Sequence, residues 1–228
     1  TLLGQLSMHH YQTGDYKEAI RLETTVSKLR KDLHGEEHVN YAVSIGRLAL
    51  YNYKNLKYND ALMYAKQATK ILENIRGEDK TSFDIFYIFN TALYRQIGNY
   101  NEATKSAVEY SEIIKANYGE NSTKYADALL ELSHCYRLVG DKSNALHTIN
   151  RSAEIQQNVA GKDNELYAKI LDCIADCLCS DGKIEDALRT ETKAVEIYKK
   201  INGEWNAGYA SYLIEIADLY VAINNYSE

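Results

Sequence analysis

A fixed step of 42 residues organises this sequence from one end to the other. Alanine and glycine each recur five times at this step, and no insertion interrupts either series. The alanines are Ala19, Ala61, Ala103, Ala145 and Ala187, and the glycines are Gly35, Gly77, Gly119, Gly161 and Gly203. The alanine follows a turn-like segment that is most complete at Gly98 to Ala103 and lacks its glycine at Leu56. Two series in register indicate repeated supersecondary units stacked in one dimension.

Each unit is predicted to contain two helices. The first, helix A, carries apolar or aromatic residues at the spacing of one helical face, as in Tyr41, Ile45 and Leu48. The second, helix B, opens near the recurring alanine and closes at the recurring glycine, which is expected to form a left-handed C-terminal cap. At Leu56, Asn55 is expected to take the left-handed conformation in place of the missing glycine. The spacing therefore predicts eleven helices in alternating A and B order.

The whole chain is predicted to be one array, residues 1–228, with an incomplete unit at each end. The unit boundaries are 1–34, 35–76, 77–118, 119–160, 161–202 and 203–228. Thr1 aligns with Val43 inside helix A, and Glu228 aligns with Glu102 just before a helix B, so we expect a segment cut from a longer array. The last helix A would lack a following helix B, and we expect its apolar face to be covered by another chain or its turns to fray.

Composition favours a soluble protein that binds neither nucleic acid nor membranes. The net charge is −6 with 25% charged residues, which is opposite to the basic footprint of a nucleic-acid-binding protein. No stretch approaches the ~18 apolar residues that span a bilayer. The four cysteines are Cys135, Cys173, Cys177 and Cys179. Three of them crowd one predicted helix, which is a poor disulfide framework, so we expect a reducing, cytoplasmic compartment.

Catalytic, cofactor and metal signatures are missing from the sequence. It contains no glycine-rich phosphate loop, no zinc-protease helix and no nucleophile elbow, and its six histidines are scattered. Cys173 and Cys177 lie four apart with His134 one unit earlier, which zinc could use, but no Cys-x-x-Cys pair or second histidine completes a site. Packing of small side chains is the favoured interpretation of these cysteines. We expect no enzyme activity, no cofactor and no metal.

Paired helices with a Gly-Asn-Tyr type turn and an alanine opening helix B resemble tetratricopeptide repeats. The 42-residue step and the linker from Gly35 to Ala42 are similar to the long variant of kinesin light chains and of bacterial arrays fused to caspase-like (CHAT) protease domains. The resemblance covers all 228 residues and implies an all-α, right-handed α-solenoid superhelix. Helix A lacks the paired asparagines of that variant, for example at Ile45 to Ala49, so a binding mode based on them does not transfer.

The resemblance also implies that a second face of helix A lines a concave groove. The candidate groove residues are Arg47, Leu50, Tyr53, Ile88, Arg95, Leu130, His134, Arg137, Asp172, Asp176, Ile214 and Asp218. Apolar residues on a groove that is open to solvent favour the interpretation of this face as a contact site. Arginines fall on or beside this face in the first two-thirds of the chain, and the acidic residues Asp172, Asp176, Glu215 and Asp218 fall there in the last third. This pattern predicts a partner with an acidic part and a basic part. A solvated face with random charges is the alternative.

Three functions are compatible with these patterns. The first is an interaction scaffold that holds a peptide or protein segment in the groove. The second is a regulatory or sensor array of a larger protein whose caspase-like domain lies outside this segment. The third is a passive spacer or an oligomerisation element that self-associates through its uncapped terminal helices.

Overall fold

The computed structural model describes residues 2–75 and 84–226, and this part of the chain contains eleven α-helices and no strand. Helices of type A and type B alternate along the sequence, which confirms the predicted number and order. Their bounds are α1 (Leu2–Gln12), α2 (Tyr16–His34), α3 (Val39–Lys54), α4 (Tyr58–Ile75), α5 (Asp84–Gln96), α6 (Tyr100–Tyr118), α7 (Thr123–Leu138), α8 (Lys142–Ala160), α9 (Glu165–Ser180), α10 (Ile184–Asn202) and α11 (Ala207–Tyr226). Gly77, one member of the glycine series, lies outside the described residues.

Contacts between helices divide the chain into two compact units, residues 1–113 and 114–228. In the first unit each helix from α1 to α4 packs against the next helix in sequence, and in the second unit each helix from α7 to α10 does so, as expected for stacked helical hairpins. In the first unit a core cluster joins α3 and α4 through residues such as Ile45, Leu48 and Leu72. In the second unit a comparable cluster joins α7, α8 and α9.

The recurring alanines are core positions at the start of each helix B. All five are buried to 1% exposure or less. The facing position on helix A also holds a small residue, and at Ser133 the hydroxyl donates a hydrogen bond to the Ala145 carbonyl at 2.8 Å. A larger side chain at either position would separate the helices, because protein interiors have little spare volume. The alanine series is therefore a packing constraint.

Backbone conformation at the repeat boundaries differs from the expectation in two places. At the turn without glycine, Leu56 itself adopts a φ of 61°, while Asn55 has φ −85° and ψ 12°, so the assignment of the left-handed residue to Asn55 was wrong. The described glycines that end helices B have positive φ, but Gly35 pairs φ 86° with ψ 173°. This is an extended conformation that essentially only glycine adopts, distinct from the left-handed helical cap that was expected.

The strain at Leu56 leads to a testable prediction. Leu56→Gly is expected to stabilise the protein by about 0.5–1 kcal/mol, because relief of a left-handed non-glycine residue (~1–2 kcal/mol) exceeds the entropy that glycine adds to the unfolded chain. Little burial is lost, since Leu56 is 72% exposed. Chemical denaturation measures the difference. The reciprocal control is Gly140→Leu at the matching turn, where φ is 80° and nothing lies near an added Cβ; a stabilising effect there would contradict the argument.

The last helix, α11, packs on α10 and leaves much of its apolar surface exposed. Leu219 is buried and Ile216 is half-buried, so part of the face expected to be open is covered within the unit. Leu213, Ile214 and Val221 stay exposed. Coverage of these side chains by another chain stays a prediction.

Candidate binding surface

The structure leaves most of the predicted groove side chains accessible. Of the twelve, nine are half-buried and two, Ile214 and Asp218, are exposed. The half-buried ones are Arg47, Leu50, Tyr53, Ile88, Arg95, His134, Arg137, Asp172 and Asp176. This face of the A helices is therefore not sealed by the packing inside either unit, and we describe it separately in each.

Leu130 differs from the other eleven. It is 4% exposed and packs in the core cluster of the second unit, together with Ile149 and Ile170. Leu130 therefore does not provide the exposed apolar contact that its column in the repeat predicted. The A helices are close-packed on more than one side, so a position next to the groove can still face inward.

In the first unit, the accessible face includes a cleft of about 320 Å³. Its lining comes from α1, α2 and α3 and includes Met8, His9, Arg30 and Arg47. Further along the same unit, the Tyr53 ring contacts Phe89 edge to face, with centroids 5.7 Å apart. Aromatic side chains that are ordered by mutual packing and still reach solvent are typical of contact surfaces.

Beneath the cleft of the first unit lies a buried and well-satisfied carboxylate, Glu23, on α2. Its two oxygens accept hydrogen bonds from the hydroxyls of Ser7, at 2.5 Å, and Ser44, at 2.8 Å. Two guanidinium groups are close to it, with nitrogen–oxygen distances of 4.0 Å for Arg30 and 3.9 Å for Arg47. Arg47 thus helps to neutralise a buried charge as well as lining the cleft.

In the second unit, two residues predicted to contact opposite charges of a partner contact each other instead. Arg137 Nη1 on α7 lies 2.6 Å from Asp176 Oδ2 on α9. Burial raises the pKa of the Asp176 carboxyl, and the nearby Arg137 charge opposes that effect. The charges of Arg137 and Asp176 therefore partly neutralise each other, and the predicted division into a basic patch and an acidic patch is weaker here.

Three other carboxyl groups of the second unit converge on one point. They are Asp172 on α9, Glu191 on α10 and Glu215 on α11, and one oxygen of each lies within 4.8 Å of the other two. Glu191 is 1% exposed, Asp172 is half-buried and Glu215 is exposed. Within the described part of the chain, the Glu191 Oε1 atom is buried without a hydrogen-bond partner. We refer to Asp172, Glu191 and Glu215 as the acidic triad.

The surroundings of the acidic triad disfavour its ionised forms. Burial raises the pKa of Asp172 to about 9, and a hydrogen bond to Glu215 and the negative charge of Glu215 act in the same direction. Burial also raises the pKa of Glu191 to about 8, supported by the charges of Glu215 and Asp176. The pKa of Tyr212 on α11 is raised by burial and then by the three triad carboxylates. A cation at this point would favour the ionised forms.

Sequence reasoning placed Asp172 and Glu215 on or beside the candidate surface but missed Glu191 and the convergence of the triad. The signal was present in the column of helix B that contains Glu191. That column reads Glu23, Ala65, Ala107, Ile149 and Glu191, so two carboxylates interrupt an otherwise apolar series. Both are fully buried, or nearly so, in the structure. A charged residue at a core position of a repeat indicates a specific compensating contact.

Three of the four cysteines are core side chains, among them Cys173 and Cys177, which were considered for zinc. Cys135, Cys173 and Cys177 are buried, and Cys179 is half-buried. The Cys173 sulfur lies 3.6 Å from the Ser133 hydroxyl oxygen, inside the cluster that joins α7, α8 and α9. The packing interpretation of these residues agrees with this arrangement.

Comparison with known proteins supports the repeat assignment. Residues 1–74 match the tetratricopeptide repeat family. No curated protein matches the sequence. The structure is similar to the TPR-like repeats of a kinesin light chain protein from Podosopora anserina, with 17% identity, a TM-score of 0.77, and coverage of 87% of this chain and 94% of that chain.

Within the described ranges, no helix is long and apolar enough to cross a bilayer.

Two further solved structures show the same fold. BtubC (BKLC) from P. vanneervenii is 16% identical with a TM-score of 0.74, over 93% of this chain and 85% of that chain. A signal transduction ATPase with a tetratricopeptide repeat sensor from Pyrococcus horikoshii is 18% identical with a TM-score of 0.73. There the similarity covers 96% of this chain and 32% of that much longer one. At these identities the likeness establishes the fold.

Proposed function

We propose that this chain, an array of tetratricopeptide-like repeats, is a non-catalytic scaffold that binds a peptide or protein segment on the predicted face of its A helices. Tetratricopeptide repeats generally mediate protein–protein interaction, and the family match and the fold support that general role here. The proposal adds the surface: the accessible helix-A residues in each of the two units.

The observation that carries the proposal is the accessibility of apolar and aromatic side chains on that face. Leu50, Tyr53 and Ile88 are half-buried in the first unit, and Ile214 is 62% exposed in the second. Charged groups such as Asp218 lie on the same face, so apolar contacts and charge can both contribute to recognition. Apolar anchors surrounded by polar groups are the usual composition of a peptide-binding surface.

Site-specific photocrosslinking tests the proposed surface. We expect benzoylphenylalanine in place of Ile214 to form a discrete adduct with a partner protein in extract from the source cells. The control position is Lys193 on α10, which is also exposed but lies outside the candidate surface. Excess unmodified chain should suppress the adduct by competition, because both forms occupy one site. Mass spectrometry of the adduct identifies the partner.

Equal crosslinking from both positions, or an adduct from Lys193 alone, would contradict the assignment of the surface. Salt dependence then reports the contribution of charge. If Asp218 contacts a basic stretch of the partner, Asp218→Lys should slow association at low salt and have a smaller effect at high salt, where exposed charges are screened.

A second candidate function is a regulatory or sensor array within a larger protein. The similarity to the repeat sensor of the Pyrococcus ATPase, where this chain corresponds to 32% of the length, favours it. The resemblance to CHAT proteins suggests that the regulated domain of such a protein would be caspase-like. Determining the reading frame beyond Glu228 distinguishes the two functions, since a downstream catalytic domain would favour the regulatory one.

A further inference from the structure

The acidic triad combines two features that neighbouring carboxylates on a protein surface lack. First, its members come from three successive helices, α9, α10 and α11, and still bring their oxygens within 4.8 Å of one another. Second, the carboxyl group of Glu191 reaches this point although the residue is only 1% exposed, and within the described part of the chain its buried Oε1 atom has no hydrogen-bond partner. A buried carboxyl oxygen without a hydrogen-bond partner is unfavourable in either protonation state, so such a group in a folded protein calls for a compensating ligand.

In the first unit, the buried carboxylate at the same repeat position is compensated by cationic side chains of the chain itself. Glu23 lies four 42-residue steps before Glu191, and the residue at the position of Arg47 four steps later is Glu215. In the first unit that position brings a guanidinium to the buried carboxylate, and in the second it brings another carboxylate. The two serine hydroxyls are also absent, because Ala175 and Tyr212 occupy the positions of Ser7 and Ser44.

One positive charge near the acidic triad is already engaged by another carboxylate. Arg137 lies on the same face of the second unit, but its guanidinium contacts Asp176 at 2.6 Å. Within the described part of the chain, the groups that interact electrostatically with Glu191 include Asp172 and Asp176 on α9 and Glu215 and Tyr212 on α11. Every one of these is either acidic or neutral, so the neighbourhood is one that attracts an external cation.

The ligand set selects the class of cation. All three groups offer oxygen, which is the preferred donor of hard cations such as calcium, magnesium and manganese, whereas zinc and copper prefer nitrogen and sulfur. Three oxygens within 4.8 Å of one another share a central point about 2.8 Å or less from each, close to the calcium–oxygen distance of 2.3–2.6 Å, so a single calcium ion at that point can contact all three. Magnesium requires shorter bonds and a stricter octahedron, which three side chains on separate helices satisfy less readily.

We propose that Asp172, Glu191 and Glu215 form a binding site for one hard divalent cation, with calcium the best match. The ion would bridge α9, α10 and α11 and so hold the last helix against the helices before it. Exposed Glu215 gives the ion a route from solvent, and buried Glu191 supplies the innermost ligand. Bidentate carboxylates and water complete the coordination of calcium in such sites.

Calorimetric titration with calcium chloride tests the proposal on the whole chain after treatment with a chelator. We expect one ion per chain and a rise in Tm when calcium is added. Glu191→Gln removes the charge of the innermost ligand with almost no change in shape, and we expect it to weaken binding at least ~10-fold, in line with losses seen when metal-site groups are altered. Glu215→Gln is the second variant, and because Glu215 is exposed this substitution leaves the core intact.

Glu196→Gln is the matched control, since Glu196 is an exposed glutamate on the same helix as Glu191. It should bind calcium like the unmodified chain and show the same calcium-dependent rise in Tm. Protein calcium sites have dissociation constants up to about 1 mM, so no binding at ~10 mM calcium overturns the proposal. Calcium binding of equal strength in Glu191→Gln and Glu215→Gln also overturns it, because the ion would then lie elsewhere. In either case a basic side chain of a partner becomes the next candidate ligand of the triad.

Discussion

Replacing Glu191 by glutamine is expected to stabilise the metal-free protein at pH 9 and to leave its stability almost unchanged at pH 4. Glutamine resembles a protonated glutamate in shape and carries no charge, so it removes the cost of ionising a buried group. Glu191 is 1% exposed and lies beside two other carboxyl groups. We expect the gain at pH 9 to be on the order of 3 kcal/mol.

The sign follows from the two pKa values. Glu191 in the folded chain has its pKa raised to about 8 by burial and by the charges of Glu215 and Asp176, whereas an unfolded glutamate titrates near 4.3. Between these pH values the folded state holds a proton that the unfolded state has lost. The stability contributed by the protonated form is therefore complete below about pH 4 and is lost as pH rises towards 8. Asp172, whose pKa is raised to about 9, extends the decline in the same direction.

Thermal unfolding between pH 4 and pH 9, with a chelator present, measures this effect. The Tm of the unmodified chain should fall as pH rises, and Glu191→Gln should flatten that decline. For a chain of this size 1 kcal/mol corresponds to roughly 2–4 °C, so the two proteins should differ by about 6–12 °C at pH 9. Glu196→Gln on the same helix should follow the unmodified chain. A parallel decline in Glu191→Gln would show that Glu191 ionises without strain.

The fold was predictable from the sequence because its determinants are local and periodic. The alanine and glycine series fixed the number, type and order of the helices, since each repeat buries its face against its neighbours in the same way. The errors concerned backbone conformation at single residues, as at Leu56. There the turn geometry imposed by two packed helices prevails over the preference of leucine for negative φ.

The candidate surface was less predictable, because its properties depend on contacts between repeats. Periodicity placed Arg137 and Asp176 on one face but could not show that they contact each other. It also could not show that Leu130 turns into the core. The acidic triad joins residues 19 and 24 positions apart in sequence, from Asp172 to Glu191 and from Glu191 to Glu215. The sequence signal for such contacts is a residue that departs from the usual type of its repeat column, as Glu23 and Glu191 do in an otherwise apolar column.

Glu23 occupies the same repeat position as Glu191, and its replacement by glutamine is expected to have the opposite effect. Glu23→Gln should destabilise the protein at pH 7 by about 2–4 kcal/mol, because the substitution leaves a buried network without its negative charge. The amide would present a donor to Ser7 or Ser44, which now both donate to the carboxylate. Arg30 and Arg47 would lose the charge that compensates their partial burial.

Urea denaturation of Glu23→Gln, Arg47→Gln and the double variant measures the pairing directly. Each single variant should be less stable than the unmodified chain, and the double variant should lose less than the sum, because its second substitution removes a charge that has already lost its partner. Glu18→Gln on the same helix is the control, since Glu18 pairs with Arg21 at the surface and should contribute little. Strict additivity would mean that Arg47 and Glu23 do not interact. Opposite signs for Glu23→Gln and Glu191→Gln would show that the contacts of a repeat position, rather than its burial, decide whether a core carboxylate stabilises this fold.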